Sequence, residues 1–135
     1  MKKISLGRLI LLLSLLLAAC SSKNSPITNL DVAMTDFAFT PTTYLVPAGR
    51  EITLNLQNNG AVAHEFILMK YGTDVGADFG AEDTPNIYWQ TDLVAGQGGS
   101  YTFTAPSQPG DYQVLCGIPG HFMAGMSARL TVVAP

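Results

Sequence analysis

Cys116, His121 and Met126 stand with four residues between each successive pair, in the run Cys-Gly-Ile-Pro-Gly-His-Phe-Met-Ala-Gly-Met. Pro119 and Gly120 are expected to turn the chain sharply, so that His121 points back beside Cys116. Gly125 is expected to turn it again and bring Met126 to the same point. Thiolate and thioether suit Cu(I), and imidazole serves both copper oxidation states. Two imidazoles, one thiolate and a weak axial methionine make the donor set of an electron-transfer copper. That set requires a second histidine. The chain has two in all, and the other is His64, just after an Asn58-Asn59-Gly60 turn. Met123 is an alternative thioether, although its place on the loop better suits a surface contact.

Each of these residues taken singly has a plainer reading: Cys116 as a small buried hydrophobe, His64 as an ordinary histidine, Met126 as core filler. It is their combination and spacing that points to a metal. No third histidine is present for a catalytic zinc or a type 2 copper. Nor does a second cysteine stand near Cys116, as a binuclear copper site would need. Nothing resembles a hydrolytic centre, so no enzymatic activity is expected.

The elements that must position the site read as strands. Leu30, Val32 and Met34 alternate with Asp31, Ala33 and Thr35; Ile52, Leu54 and Leu56 alternate with Thr53, Asn55 and Gln57. This period of two marks half-buried strands. Further strands are expected at 64–70, 101–104, 112–116 and 128–133, with Tyr112, Val114 and Cys116 sharing one face. Residues 71–99, with Asp74, Asp78, Glu82, Asp83 and Asp92, read as a long acidic excursion. It is expected to be a solvated loop with a helical turn and a short strand around 87–94, and Tyr88 and Trp89 as packing residues. Seven or eight strands and no strong amphipathic helix predict an all-β Greek-key β-sandwich.

These residues resemble the cupredoxins, the small blue-copper proteins. The resemblance rests on the ligand loop, on Pro47-Ala48-Gly49, on the run from Pro109 to Cys116 and on the closing strand. The loop spacing is similar to that of auracyanins and rusticyanin. The resemblance implies one type 1 copper held by His64, Cys116, His121 and Met126, and one-electron transfer with His121 as the gate. Ile118, Pro119, Phe122 and Met123 would form an apolar rim for transient docking of redox partners. Many cupredoxins carry Asn directly after the first histidine, where it ties two loops; this chain has Glu65. Backbone N–H groups of Glu65 and Ile118 are expected to reach the Cys116 sulfur and bias the site toward Cu(I). A copper carrier or tolerance protein is the alternative, and an accessory subunit of a respiratory complex a third reading.

The N-terminal segment carries a different signal. Lys2, Lys3 and Arg8 precede an apolar run from Leu9 to Leu17, then Ala18, Ala19 and Cys20. This is the order of a secretory signal, and its apolar run is short for a permanent span. Leu17-Ala18-Ala19-Cys20 resembles the lipobox of bacterial lipoproteins, which implies a signal peptide over 1–19 and lipid on Cys20. An ordinary signal peptide would instead leave Cys20 as a free thiol. Residues 20–27 read as lipidated Cys and flexible tether, and 28–135 as the cupredoxin domain. Three of the seven cations fall in the signal, leaving four against ten acids, a net charge of −6. Nucleic acid is therefore an unsuitable partner. The expected protein is a monomer, anchored to the extracytoplasmic face of a bacterial membrane. In that oxidising setting Cys116 lacks a partner within the chain, which itself calls for a metal.

Overall fold

The structure, a computed structural model, describes residues 25–135. The signal segment and the lipobox cysteine Cys20 lie outside the described residues. Among the described residues nine strands form two mixed sheets, against the seven or eight strands expected. They are β1 (Asn29–Thr35), β2 (Ala38–Thr40), β3 (Thr43–Pro47), β4 (Glu51–Asn58), β5 (His64–Met69), β6 (Ile87–Leu93), β7 (Gly98–Thr104), β8 (Gly110–Leu115) and β9 (Ser127–Val133). One sheet has the order β2-β1-β4-β7, the other β3-β9-β8-β5-β6. β1 pairs in parallel with β4, and β3 with β9; the remaining pairs are antiparallel. The chain passes repeatedly from one sheet to the other, as a Greek-key sandwich requires.

The period-two strands bury the expected faces. Leu30, Val32 and Met34 of β1 and Ile52, Leu54 and Leu56 of β4 meet Phe66, Leu68, Tyr112 and Val114 of the opposing sheet in one core. Trp89 links the layers from β6: its ring stacks on Phe103 of β7 at 5.1 Å and stands edge-on to Phe66 at 6.4 Å. Tyr88 points out, and its hydroxyl donates to Thr104 O at 2.9 Å. Ile27, placed by its sequence at the end of the tether, donates its N–H to Leu45 O at 2.9 Å.

The acidic excursion is more than a solvated loop. A 3-10 turn at Thr84–Asn86 leads into β6, which pairs along the whole of β5. Ahead of it, Val75 is buried and Phe79 half-buried against Ile67, Met69 and Leu115. These residues lie on the face of β5 and β8 turned away from the main core, so both faces of β5 are covered. That explains why β5 reads as a continuous apolar run and not as an alternation.

Candidate metal centre

Three connections meet at one end of the sandwich: the β1–β2 turn, the β4–β5 loop and the loop from Cys116 to Met126. The last is a series of tight turns. His121 N–H donates to Ile118 O at 3.0 Å, Ala124 N–H to Gly120 O at 2.9 Å and Gly125 N–H to Phe122 O at 2.8 Å. Gly120 and Gly125 have φ of 83° and 104°, the left-handed region that a side chain would strain. Met126 closes the loop, with its N–H donating to His121 O at 3.0 Å and its carbonyl accepting from Cys116 N–H at 3.2 Å. The β4–β5 loop is held by Asn58, whose fully buried amide donates to Val62 O and Leu93 O and accepts from Gly60 N–H. A buried amide without such partners would be costly; with them it sets the position of His64.

The folding of these loops brings His64, Cys116 and His121 together. One ligand atom from each lies within 4.8 Å of the others. His64 Nδ1 and His121 Nδ1 are 3.2 Å apart, and His121 Nδ1 is 3.4 Å from Cys116 Sγ. His64, Cys116 and Met126 are fully buried; only His121, at 9 % exposure, keeps an edge at the surface. Met123 is 66 % exposed, so of the two methionines on this loop Met126 is the buried one. Among the described residues Cys116 forms no disulfide.

Burial pushes the Cys116 thiol up, while the Glu65 and Ile118 N–H groups pull it down and the Glu65 carboxylate pushes it up. The Glu65 N–H donates to Sγ at 3.3 Å. Ile118 contributes a weaker pull without closing a hydrogen bond of its own, so one of the two expected N–H to sulfur bonds is formed. Burial and then the neighbouring His64 push His121 down, against a pull upward from Asp36. A neutral imidazole and a thiol disfavoured as a free thiolate suit a metal ion that supplies the compensating charge and displaces the thiol proton. Two imidazoles, one thiolate and a buried thioether fit copper better than zinc or a hard cation.

Glu65 takes up part of the role expected of an Asn. Its carboxyl is pushed up by burial and by Asp92, its cross-strand partner on β6, and pulled down by the Gly117 N–H. A Cβ at Gly117 would stand 2.6 Å from both Glu65 Oε2 and Ile67 Cδ1. The side chain after the first histidine therefore still bears on the cysteine loop, through a carboxylate and a glycine.

Residues with no sequence signal complete the site. Asp36 Oδ1 lies 3.2 Å from His64 Nε2, and the ring of Phe37 meets that of His121 edge-on at 5.0 Å. Phe37, Val62 and Met123 are the exposed large apolar side chains on the three connections. The expected rim thus gains Phe37 and Val62, while Ile118 and Phe122 are partly buried against the core clusters.

A cupredoxin-like domain family matches residues 8–132. Auracyanin-B of Chloroflexus aurantiacus is 38% identical over 111 residues, covering 70% of this chain and 47% of that protein. The chain thus spans about half the length of this curated relative. A dithionite-reduced auracyanin from Roseiflexus castenholzii has a similar structure, with a TM-score of 0.69 and 30% identity over 81% of this chain and 99% of that one. Auracyanin A, described as a "blue" copper protein of Chloroflexus aurantiacus, gives a TM-score of 0.63 and 29% identity, covering 81% of this chain and all of its own (100%).

Proposed function

The chain belongs to the cupredoxin-like domain family, and we propose that it carries single electrons between extracytoplasmic redox proteins through one type 1 copper. His64, Cys116, His121 and Met126 would hold the ion. The observation that supports this most is the convergence of one ring nitrogen from each of His64 and His121 with Cys116 Sγ within 4.8 Å, buried except for one edge of His121. Copper supplies the one-electron couple between Cu(II) and Cu(I). The chain's part is to keep the donor positions fixed, so that little rearranges when the charge changes. The loop's turns, the Asn58 amide and the sandwich beneath them serve that end. His121 offers the shortest way out, through an apolar rim of Phe37, Val62 and Met123 suited to brief contacts. The acids of the 71–86 segment would steer a basic partner.

The second reading is a copper carrier. It draws on Met123, an exposed thioether two residues from His121 that would suit handing over Cu(I). Copper(II)-loaded protein separates the two. An electron carrier should retain both oxidation states and self-exchange electrons quickly. Slow self-exchange, with Cu(I) released to a competing thiol chelator, would favour the carrier.

The membrane attachment is proposed on Leu17-Ala18-Ala19-Cys20. Among the described residues no helix is long and apolar enough to cross a membrane. An acyl chain on Cys20 would confine the domain to a surface and raise its effective concentration there. The full-length wild type should partition with membranes and carry a lipid-sized mass increment. Cys20→Ser should lose the mass increment and block lipoprotein processing; a wild type of unmodified mass would defeat the anchor.

A further inference from the structure

We propose that Asp36 is a positioning residue for the copper site: its carboxylate holds the His64 ring in the Nε2–H tautomer and strengthens its Nδ1 as a donor to Cu(II). The inference rests on the copper reading for its redox consequence, but the tautomer can be observed without metal.

For a neutral His64 ring the geometry allows one assignment of the proton. Asp36 Oδ1 is 3.2 Å from His64 Nε2, and a carboxylate only accepts. With the hydrogen on Nδ1, a bare Nε2 would face a carboxylate oxygen, two acceptors in contact. With the hydrogen on Nε2, it is donated to Asp36 and Nδ1 is left as a lone pair. That lone pair faces the pocket, 3.2 Å from His121 Nδ1. A ligating imidazole whose second nitrogen donates to a carboxylate is fixed in tautomer and orientation, and its basicity rises.

Independent features hold Asp36 in place. Its two carboxylate oxygens accept from Ala61 N–H at 3.0 and 3.2 Å, so the β1–β2 turn is tied to the loop that carries His64. Gly60 leaves the space for this approach: a Cβ there would collide with Asp36 Oδ1 and stand 2.7 Å from His64 Nε2. The next residue, Phe37, adopts a φ of 68°, which a bulky residue seldom does, and its ring meets His121. One turn thus touches both imidazoles, Asp36 through a hydrogen bond and Phe37 through its ring.

A stronger Nδ1 donor stabilises the more highly charged Cu(II) and lowers the potential. Asp36→Ala should therefore weaken Cu(II) binding about 10- to 100-fold. If Cu(I) binding is unchanged, the potential should rise by about 59 mV for each tenfold loss. Asp36→Asn keeps an acceptor oxygen without the charge, and should fall between wild type and alanine. In the metal-free wild type, ring 15N shifts should report the Nε2–H tautomer of His64. A merely structural role would lower the melting temperature without an ordered shift of potential across the series. An Nδ1–H tautomer in the wild type, or an Asp36→Ala protein with intact colour and unchanged potential, would overturn the proposal. If Asp36→Ala fails to fold, Asp36→Asn and the wild-type tautomer decide it. A wild type without a thiolate-to-copper band would remove the copper reading and leave the tautomer assignment standing on its own spectrum.

Discussion

Cys116→Ser is expected to abolish the intense visible band of the Cu(II) protein outright. That band is a thiolate-to-copper charge transfer, so no other residue in the pocket can generate it. Serine cannot substitute, because its hydroxyl does not ionise in the accessible range and is a poor partner for Cu(I). The variant should still fold. Serine is close to cysteine in size, and its oxygen can accept from the Glu65 N–H that reaches the sulfur in the wild type. Loss of colour would therefore report loss of a ligand. A second readout follows from linkage, since a ligand that binds only the folded state stabilises it by an amount that grows with the logarithm of its concentration over its Kd. Copper at a hundredfold excess over its Kd should add about 2.7 kcal/mol to the wild type and raise its melting temperature. It should add little to Cys116→Ser. Persistent colour in the serine variant would mean that the pocket formed by His64, Cys116 and His121 is not the copper site.

The ligand set could be read before the fold because it depends on residue type and local turns. Cys116, His121 and Met126 come from one loop whose glycines and proline fix its path, and His64 was found because the chain has no other histidine to offer. The long strands were legible for a similar reason, since β1 and β4 alternate strictly and bury every second residue. β2 is only three residues long, too short for a period of two to show, and β3 ends in Pro47 without a clear alternation. Those two omissions account for the strand count. β6 reads as a short strand in an excursion because it is an edge strand, with one buried residue among seven.

What stayed hidden acts between distant segments. Asp36 lies 28 residues before His64, in a turn where Asp is ordinary, and nothing in the sequence brings the two together. The parallel pairing of β1 with β4 does so, because it sets the β1–β2 turn beside the loop at the end of β4. Asn58 reads only as one residue of a turn, yet it is fully buried and joins three backbone groups. Glu65 stands where many cupredoxins carry Asn, and only the fold brings its carboxylate against Gly117.

Met126→Leu is expected to leave a coloured site with a raised reduction potential. The Met126 backbone closes the loop through bonds to His121 and Cys116, and a side-chain change leaves those bonds in place. The side chain is fully buried, and a swap between methionine and leucine nearly conserves volume, which usually costs under about 1.5 kcal/mol. The two imidazoles and the thiolate should therefore stay where they are, and the charge-transfer band should survive. The lost group is the thioether, which would be the weakest of the four donors to copper. A donor that helps the ion carry its higher charge favours Cu(II), so its removal should shift the balance toward Cu(I). A tenfold change in that balance corresponds to about 59 mV for a one-electron couple, and the rise should be at least this large. Met123→Leu supplies the comparison. Its side chain is 66 % exposed on the same loop, so it should alter the surface offered to partners and move the potential by less than that amount. Cyclic voltammetry of the two variants beside the wild type measures both shifts under one set of conditions. A larger shift from Met123→Leu than from Met126→Leu would assign the axial sulfur to the wrong residue. It would also mean that the loop refolds around copper, because a side chain now turned to solvent would have to swing into the pocket.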